Sequence, residues 1–345
     1  MASTVDWQRQ LVAALLARPA VLGEGPADCI ETHFSWVVLT RRRAFKLKKA
    51  LDRPWLGHAT ADDRRRACQS EVHLNRRLAA DVYLGVIGIR ARATGDLQRI
   101  EAGRRGADEY LVVMRRLDAG QTLDARLREG RVEPADLDAL MRRLSDFYRA
   151  LPPERLPAGA TWRAMQAQIA SHIEELRHHP ATPARRRLGD LGEALQRLGG
   201  ELRALIEERI RTGHVREVHG DLRPEHIYLE AEPVIIDCLE FARSLRLQDP
   251  VEEIAFLSME CERLGDGATG EGIRARFRAA MADTAPAGLW HYHAARRALL
   301  WAVLAMRHDA TPDSRGAHDW PGRAAGYLAR IEHHLGCLGA GPDPA

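Results

Sequence analysis

Asp221, His226 and Asp237 lie within one short stretch, Val218–Phe241, which reads VHGDLRPEHIYLEAEPVIIDCLEF. Asp221 follows a His-Gly turn. His226 comes five residues later as a candidate metal ligand, and Asp237 closes the apolar run Pro233–Ile236. Metal-assisted phosphoryl transfer needs this kind of set: a carboxylate to receive an acceptor's proton, and further groups to hold Mg²⁺ against phosphates.

Lysine usage points to the same chemistry. The chain carries 51 Lys plus Arg, yet only three are Lys, all in Phe45-Lys46-Leu47-Lys48-Lys49. An ammonium is a compact point charge suited to phosphate contact, whereas a guanidinium is a planar fork. A chain that writes Arg almost everywhere has kept its ammonium groups in one strand-like place; the alternative is a chance cluster in an Arg-biased genome. Strand alternation puts Ala44, Lys46 and Lys48 on one face, so Lys46 and Lys48 both stand as the phosphate-contacting candidate.

A partner for the lysines lies downstream. Asp62–Ala80 reads as a helix, with Ala67, Leu74 and Leu78 at helical spacing and Glu71 on that same face. A buried acid is costly unless it is paired, and the lysine cluster supplies a pair. The alternative is a half-solvated Glu at the edge of the apolar stripe.

The elements that must position these residues follow from periodicity. Ile30–Thr40 reads as two strands or one bent one, then Arg41–Arg43 as a turn and Ala44–Lys49 as a strand. Tyr83–Ile89 and Tyr110–Met114 are β-prone, and Arg115–Gly120 reads as a linker whose backbone groups could meet adenine. From Leu123 the pattern turns helical, at Asp136–Ala150, Trp162–His178, Leu188–Leu205 (interrupted at Gly199-Gly200) and Trp290–Arg307. Another helix opens at Asp249-Pro250, with a capping acid, Pro at its first position and Glu252 and Glu253 in its first turn.

Composition sets the outer bounds. At 345 residues, 45% apolar and 29% charged, the chain is an ordinary globular protein long enough for two lobes. A net charge of +3 is too small to argue for a nucleic-acid partner. Cys29, Cys68, Cys238, Cys261 and Cys337 form no CxxC pair, which indicates neither a zinc site nor a disulfide framework. No apolar run approaches the roughly 20 residues of a membrane span, and Leu11–Ala20 reads as a short helix rather than a secretion signal, so a cytoplasmic location is expected.

These residues resemble the aminoglycoside phosphotransferase family, the small-molecule branch of the protein-kinase-like fold. The segments ETHFSWVVLT, AFKLKKA, CQSEVHLNRRLAADVYLGVIGI, HGDLRPEHIYL and IDCLEF…DPVEEIAFL are most similar to a bacterial subgroup often fused to a P-loop ATPase module. The resemblance covers about residues 28–310. It implies an α+β, bilobal fold, with a small antiparallel-sheet N-lobe carrying one helix and a larger, mainly helical C-lobe. The expected divisions are an N-terminal helical extension (1–27), the nucleotide-binding N-lobe (28–117), the C-lobe (118–338) and a disordered tail (339–345).

The resemblance also implies ATP as phosphate donor, with Mg²⁺ or Mn²⁺, and a small-molecule hydroxyl as acceptor. Asp221 would be the catalytic base and Arg223 would touch the γ-phosphate. Asp237 and His226 would hold the metal. Lys46 or Lys48 would meet the α/β-phosphates and pair with Glu71, while Thr32, Ser35, Met114 and Arg116 would complete the nucleotide site. Asp249 would cap its helix and brace the loop, and His219 would order the catalytic loop from the core. No GxxxxGK[ST] occurs here, so a P-loop partner is expected as a separate chain.

The chain departs from the family pattern at three places. His226 replaces the second metal-binding Asn, THFSW (Thr32–Trp36) replaces a Gly-rich phosphate loop, and Cys-Leu-Glu follows Asp237. The first two motivate the rival reading of a nucleotide-binding pseudokinase that serves as an interaction module. Glu252, Glu253, Glu260 and Glu262 would favour a cationic acceptor, unless they only oppose a helix dipole or face solvent.

Overall fold

A computed structural model describes residues 4–23, 25, 27–51, 53, 56–92, 96–101, 106–180, 182, 185–309 and 319–339. The chain runs through α1 (Val5–Ala17), β1 (Asp28–Glu31), β2 (Ser35–Leu39), β3 (Arg43–Lys48), α2 (Ala61–Asn75), β4 (Tyr83–Ala91), β5 (Leu97–Ile100) and β6 (Glu109–Arg115). It continues through α3 (Leu123–Arg128), α4 (Pro134–Ala150), α5 (Ala158–His178), α6 (Arg185–Glu201), α7 (Arg203–Arg211), β7 (Arg216–Glu217), β8 (Ile227–Tyr228) and β9 (Val234–Ile235). It ends with α8 (Arg243–Arg246), β10 (Leu247–Gln248), α9 (Pro250–Arg263), α10 (Gly267–Met281), α11 (Ala287–Asp309) and α12 (Trp320–Gly339). Residues 340–345 of the expected disordered tail lie outside the described residues.

Contacts divide the chain into two compact units: Met1–Thr122 with His226–Arg246, and Leu123–Glu225 with Leu247–Ala345. The first is built on an antiparallel six-stranded sheet of order β1-β2-β3-β6-β4-β5. Alternation sorts its side chains to two faces, and helices cover both. Phe45, Leu47, Leu111 and Val113 pack with Leu11, Val12 and Leu15 of α1. Ala44, Val112 and Met114 pack with Cys68 and Val72 of α2. The apolar run of β6 is therefore nearly continuous, as in a strand buried on both sides.

Polar side chains fix both helices to the sheet. Gln8 of α1 donates to the carbonyl of Lys48 and to Glu109, both at 2.9 Å, and accepts the Ala50 N–H at 2.7 Å. Arg64 of α2 pairs with Glu109 through two bonds of 2.9 and 2.5 Å, and both side chains are fully buried. Thr60 and Asp63 form a capping box that starts α2 where the charged run DDRRR begins. The helix stops at Asn75, short of the expected Ala80. There the chain tightens into turn bonds, with the N–H of Arg77 on the Leu74 carbonyl and that of Leu78 on the Asn75 carbonyl.

The second unit is mainly helical. Leu188–Leu205 is not one run: α6 and α7 meet at Leu202, while Gly199 and Gly200 stay inside α6. A Cβ at Gly199 would come within 2.1 Å of Gln166 and 3.0 Å of Tyr292, so glycine there allows α6 to approach α5 and α11 closely. Strand β5 and helices α10 and α12 have no counterpart in the sequence reading. No helix among the described residues is long and apolar enough to cross a membrane.

Candidate functional site

In the sheet-bearing unit, alternation along β3 aims Lys46 and Lys48 at α2, where Glu71 is fully buried. Lys46 Nζ lies 3.0 Å from Glu71 Oε1 and 2.5 Å from Asp237 Oδ1. Lys48 Nζ lies 2.5 Å from Glu71 Oε2 and is bonded to Glu240. Glu71 is thus clamped between two ammonium groups, and the half-solvated alternative does not hold. The two lysines differ in access: the Lys46 side chain is 15% exposed and that of Lys48 only 2%. The third ammonium, Lys49, pairs with Glu31 at 2.6 Å and stands 4.9 Å from the centroid of the Trp36 ring.

Asp237 is shaped by its neighbours. Its φ is +65°, a left-handed conformation uncommon outside glycine, and such backbone is characteristic of functional sites. Its N–H donates to the Tyr83 hydroxyl at 3.1 Å, and the next N–H, of Cys238, donates to Asn75 Oδ1 at 2.9 Å. Asn75 also donates to the Glu71 carbonyl, so α2 holds the lysine partner and the Asp237 loop together. Burial raises the Asp237 carboxyl's pKa, but Lys46 and then His226 outweigh it and hold the group well below the usual carboxylate range. Burial likewise opposes ionisation of Lys46, and Asp237 and Glu71 overcome it, keeping the ammonium charged. Glu240 is drawn down to about 2, chiefly by Lys48 working against burial.

His226 is buried and presents Nε2 at 3.7 Å from Asp237 Oδ2. The Asp237 side chain keeps 43% of its surface exposed. One accessible carboxylate fits Mg²⁺, which is held through one or two carboxylates plus water and phosphate oxygens. The adjacent imidazole suits a softer divalent ion such as Mn²⁺.

In the helical unit, the loop before Asp221 is tied to α9. Glu253 accepts the N–H groups of Gly220 at 2.6 Å and His219 at 3.4 Å, and the Tyr148 hydroxyl at 2.8 Å. Arg297 donates to the Gly220 carbonyl at 2.9 Å. Gly220 has a φ of +89°, which places the turn before Asp221 where only glycine is unstrained. His219 is fully buried and its Nδ1 accepts the Asp221 N–H at 3.3 Å. Arg223 lies 3.2 Å from Asp221 and 2.6 Å from Glu225, with its guanidinium 4.4 Å over the Trp301 ring.

Below this loop, Asp249 caps α9 through the Val251 N–H and receives two bonds from Arg209, which also pairs with Asp283. Glu252 is paired with Arg296 and Glu260 with Arg263. With Glu253 they are buried, so these three acids of α9 are taken up by internal partners rather than facing solvent.

The remaining sequence-derived candidates are more conventional. The Thr32 hydroxyl accepts the Ser35 N–H and donates to the Ser35 carbonyl, closing the turn between β1 and β2, and Ser35 is buried. Met114 is buried opposite Ala44. Arg116 donates to the Thr40 carbonyl at 2.8 Å. Sequence reasoning missed Asn75, Tyr83 and the loop-bracing role of Glu253. Asn75 carried a faint signal, being a polar residue one turn after Glu71 on the inward face.

Comparison with known proteins bears on the fold. The fold matches a choline/ethanolamine kinase family protein from Mesorhizobium loti at a TM-score of 0.56, 17% identity, and coverage of 97% of this chain and 99% of that one. A thermostable mutant of an aminoglycoside phosphotransferase matches at 0.53 and 14%, covering 95% and 99%. A Plasmodium vivax ethanolamine kinase matches at 0.51 and 10%, covering 91% and 83%. At these identities the likeness establishes the fold: an α+β kinase-like fold with an antiparallel six-stranded sheet and a mostly helical remainder. An uncharacterised protein of Mycobacterium tuberculosis is 33% identical over 314 residues, 89% of this chain, and one of Mycobacterium bovis matches equally. The chain spans 59% of the length of these relatives. No protein-family model matches.

Proposed function

We propose that the chain is an ATP-dependent phosphotransferase that moves the γ-phosphate to a hydroxyl of a small molecule. The observation that carries this reading is the Lys46 ammonium, charged and partly accessible, held between buried Glu71 and accessible Asp237. A purely structural ion pair has no need of a third, solvent-facing carboxylate on strained backbone.

Lys46 is the lysine assigned to the α/β-phosphates. Lys48 is buried between Glu71 and Glu240 and acts as a structural counter-charge. Asp237 is assigned to the metal, with His226 beside it; the ion, when bound, supplies positive charge to the bridging phosphate oxygens. Asp221 takes the acceptor's proton, and Arg223 carries charge toward the transferred group. Thr32, Ser35, Met114 and Arg116 remain assigned to the nucleotide. With Glu252, Glu253 and Glu260 engaged internally, a cationic acceptor has no special support. A separate P-loop ATPase chain is kept as a proposed partner.

The test is acceptor-stimulated ADP release with Mg²⁺ or Mn²⁺ across hydroxyl-bearing metabolites and antibiotics. Turnover by the wild type, reduced about 10²–10⁴-fold in Asp221→Asn, supports the reading. Nucleotide binding without turnover in either protein favours the pseudokinase, whose motivation is His226 in the metal position.

A further inference from the structure

We propose a second metal site, independent of the phosphotransfer reading, in which Glu262, His333 and His334 bind a divalent transition-metal ion, zinc by their donor chemistry. Glu262 lies near the end of α9, and the two histidines are neighbours on α12. Each offers one ligand atom, and the three atoms lie within 4.8 Å of one another. Zinc holds imidazole nitrogen and carboxylate oxygen at about 2.0–2.2 Å, so the three donors must draw closer together to share one ion.

Two details separate this cluster from a surface accident. His334 has a side chain only 1% exposed, and its Nε2 lies 3.5 Å from Glu262 Oε2. Both of those buried atoms lack a hydrogen-bond partner among the described residues, a costly arrangement unless something between them satisfies both. His334 Nδ1, on the other side of the ring, lies 3.1 Å from His291 Nδ1 of α11. A bond donated from His334 Nδ1–H to His291 leaves the Nε2 lone pair facing Glu262, the tautomer a metal requires. Metal-ligating histidines are characteristically oriented in this way by a partner on the other nitrogen.

Two imidazoles and one carboxylate suit zinc, whereas Mg²⁺ and Ca²⁺ prefer all-oxygen shells. Three protein donors leave one tetrahedral position for water, and the exposed His333 gives the ion its way in. A bound ion would pin α12 to α9.

The experiment is zinc binding to the chelator-stripped full chain, read by competition with a chromophoric chelator and by thermal melting. The wild type should take up one tightly held Zn²⁺ per chain and melt at higher temperature with it. Asp237→Asn, which removes the other candidate metal ligand, should retain that ion. His333→Ala, a surface change that leaves the fold alone, should weaken binding more than about 100-fold and abolish the melting shift. His291→Phe should weaken it about 10–100-fold, the range typical of partners behind a ligand. Equal zinc affinity in wild type and His333→Ala overturns the proposal, as does loss of the ion in Asp237→Asn or a wild type that takes up no zinc. In the last case the atoms of Glu262 and His334 share a proton only.

Discussion

Lys46 Nζ lies 2.5 Å from Asp237 Oδ1, although the two residues stand 191 positions apart in the chain. The contact joins β3 to the loop after β9, and Glu71 of α2 completes it at 3.0 Å. Lys48, two residues on, shares Glu71 but is sealed from solvent. One strand face therefore carries two ammonium groups in different surroundings.

Substitution should separate them. Lys46→Met is expected to fold, because Lys48 still neutralises Glu71 and Asp237 is open to solvent, yet to lose at least about 10²-fold in phosphotransfer, the scale of one preorganised charge. Lys48→Met leaves Glu71 and Glu240 buried with too little positive charge, and should destabilise by about 3–5 kcal/mol. Urea midpoints and initial rates on both variants measure this. The reverse pattern would move the phosphate assignment to Lys48.

His226 should set metal preference. Replacing its nitrogen with an amide oxygen, in His226→Asn, is expected to raise activity with Mg²⁺ relative to Mn²⁺ by about tenfold or more, as changes around a metal do. Rates across both metal titrations report it, and identical profiles would remove His226 from the metal's surroundings.

Glu253 acts through backbone. Its carboxylate receives the N–H groups of Gly220 and His219, so Glu253→Gln keeps the shape but weakens the grip on the Asp221 loop. The expected result is kcat lowered by about 10²-fold with the KM for ATP unchanged, since misplacing a reacting group by an ångström costs about that much. A change confined to KM would contradict the positioning role.

Stability should depend on pH through His293. Burial, the largest influence, outweighs Glu252 and pushes its pKa from 6.5 down to about 4. Between those values the unfolded chain binds a proton that the folded chain does not. Stability therefore falls as pH drops from 6.5 to 4 and this contribution levels off below, with a slope approaching about 1.4 kcal/mol per pH unit. His293→Phe should flatten the unfolding free energy over that window relative to wild type, as measured by denaturant titrations at successive pH values. Parallel curves would show that His293 titrates normally.

Much of the sheet was readable in advance because alternation and β-branched runs are local signals. Lys46, Lys48 and Glu71 stood out because an Arg-rich chain has no reason of composition to cluster lysines, and because a carboxylate at helical spacing inside an apolar stripe demands a cation. The β3–α2 pairing follows from those two demands. Leu188–Leu205 misled because its spacing continues across Leu202 without registering the break between α6 and α7. The shortened end of α2 escaped for a related reason: Asn75 serves the Cys238 N–H, 163 residues away, and nothing near it in sequence shows that obligation.

Residue types and spacings alone determined which side chains are able to do phosphate chemistry, and on which strand or helix face each sits, because ionisation and backbone periodicity are properties of short segments. They could not choose between Lys46 and Lys48, which share a face. The tertiary structure distinguishes their surroundings, by burying Lys48 between Glu71 and Glu240 and leaving Lys46 beside an accessible Asp237. It also turned the acids of α9 from apparent surface charge into braces for the Asp221 loop and neighbouring helices. The reason is physical: burial and charge pairing depend on what packs across tens to hundreds of residues, and desolvation, not identity, decides whether an ionised group holds the fold or meets a ligand.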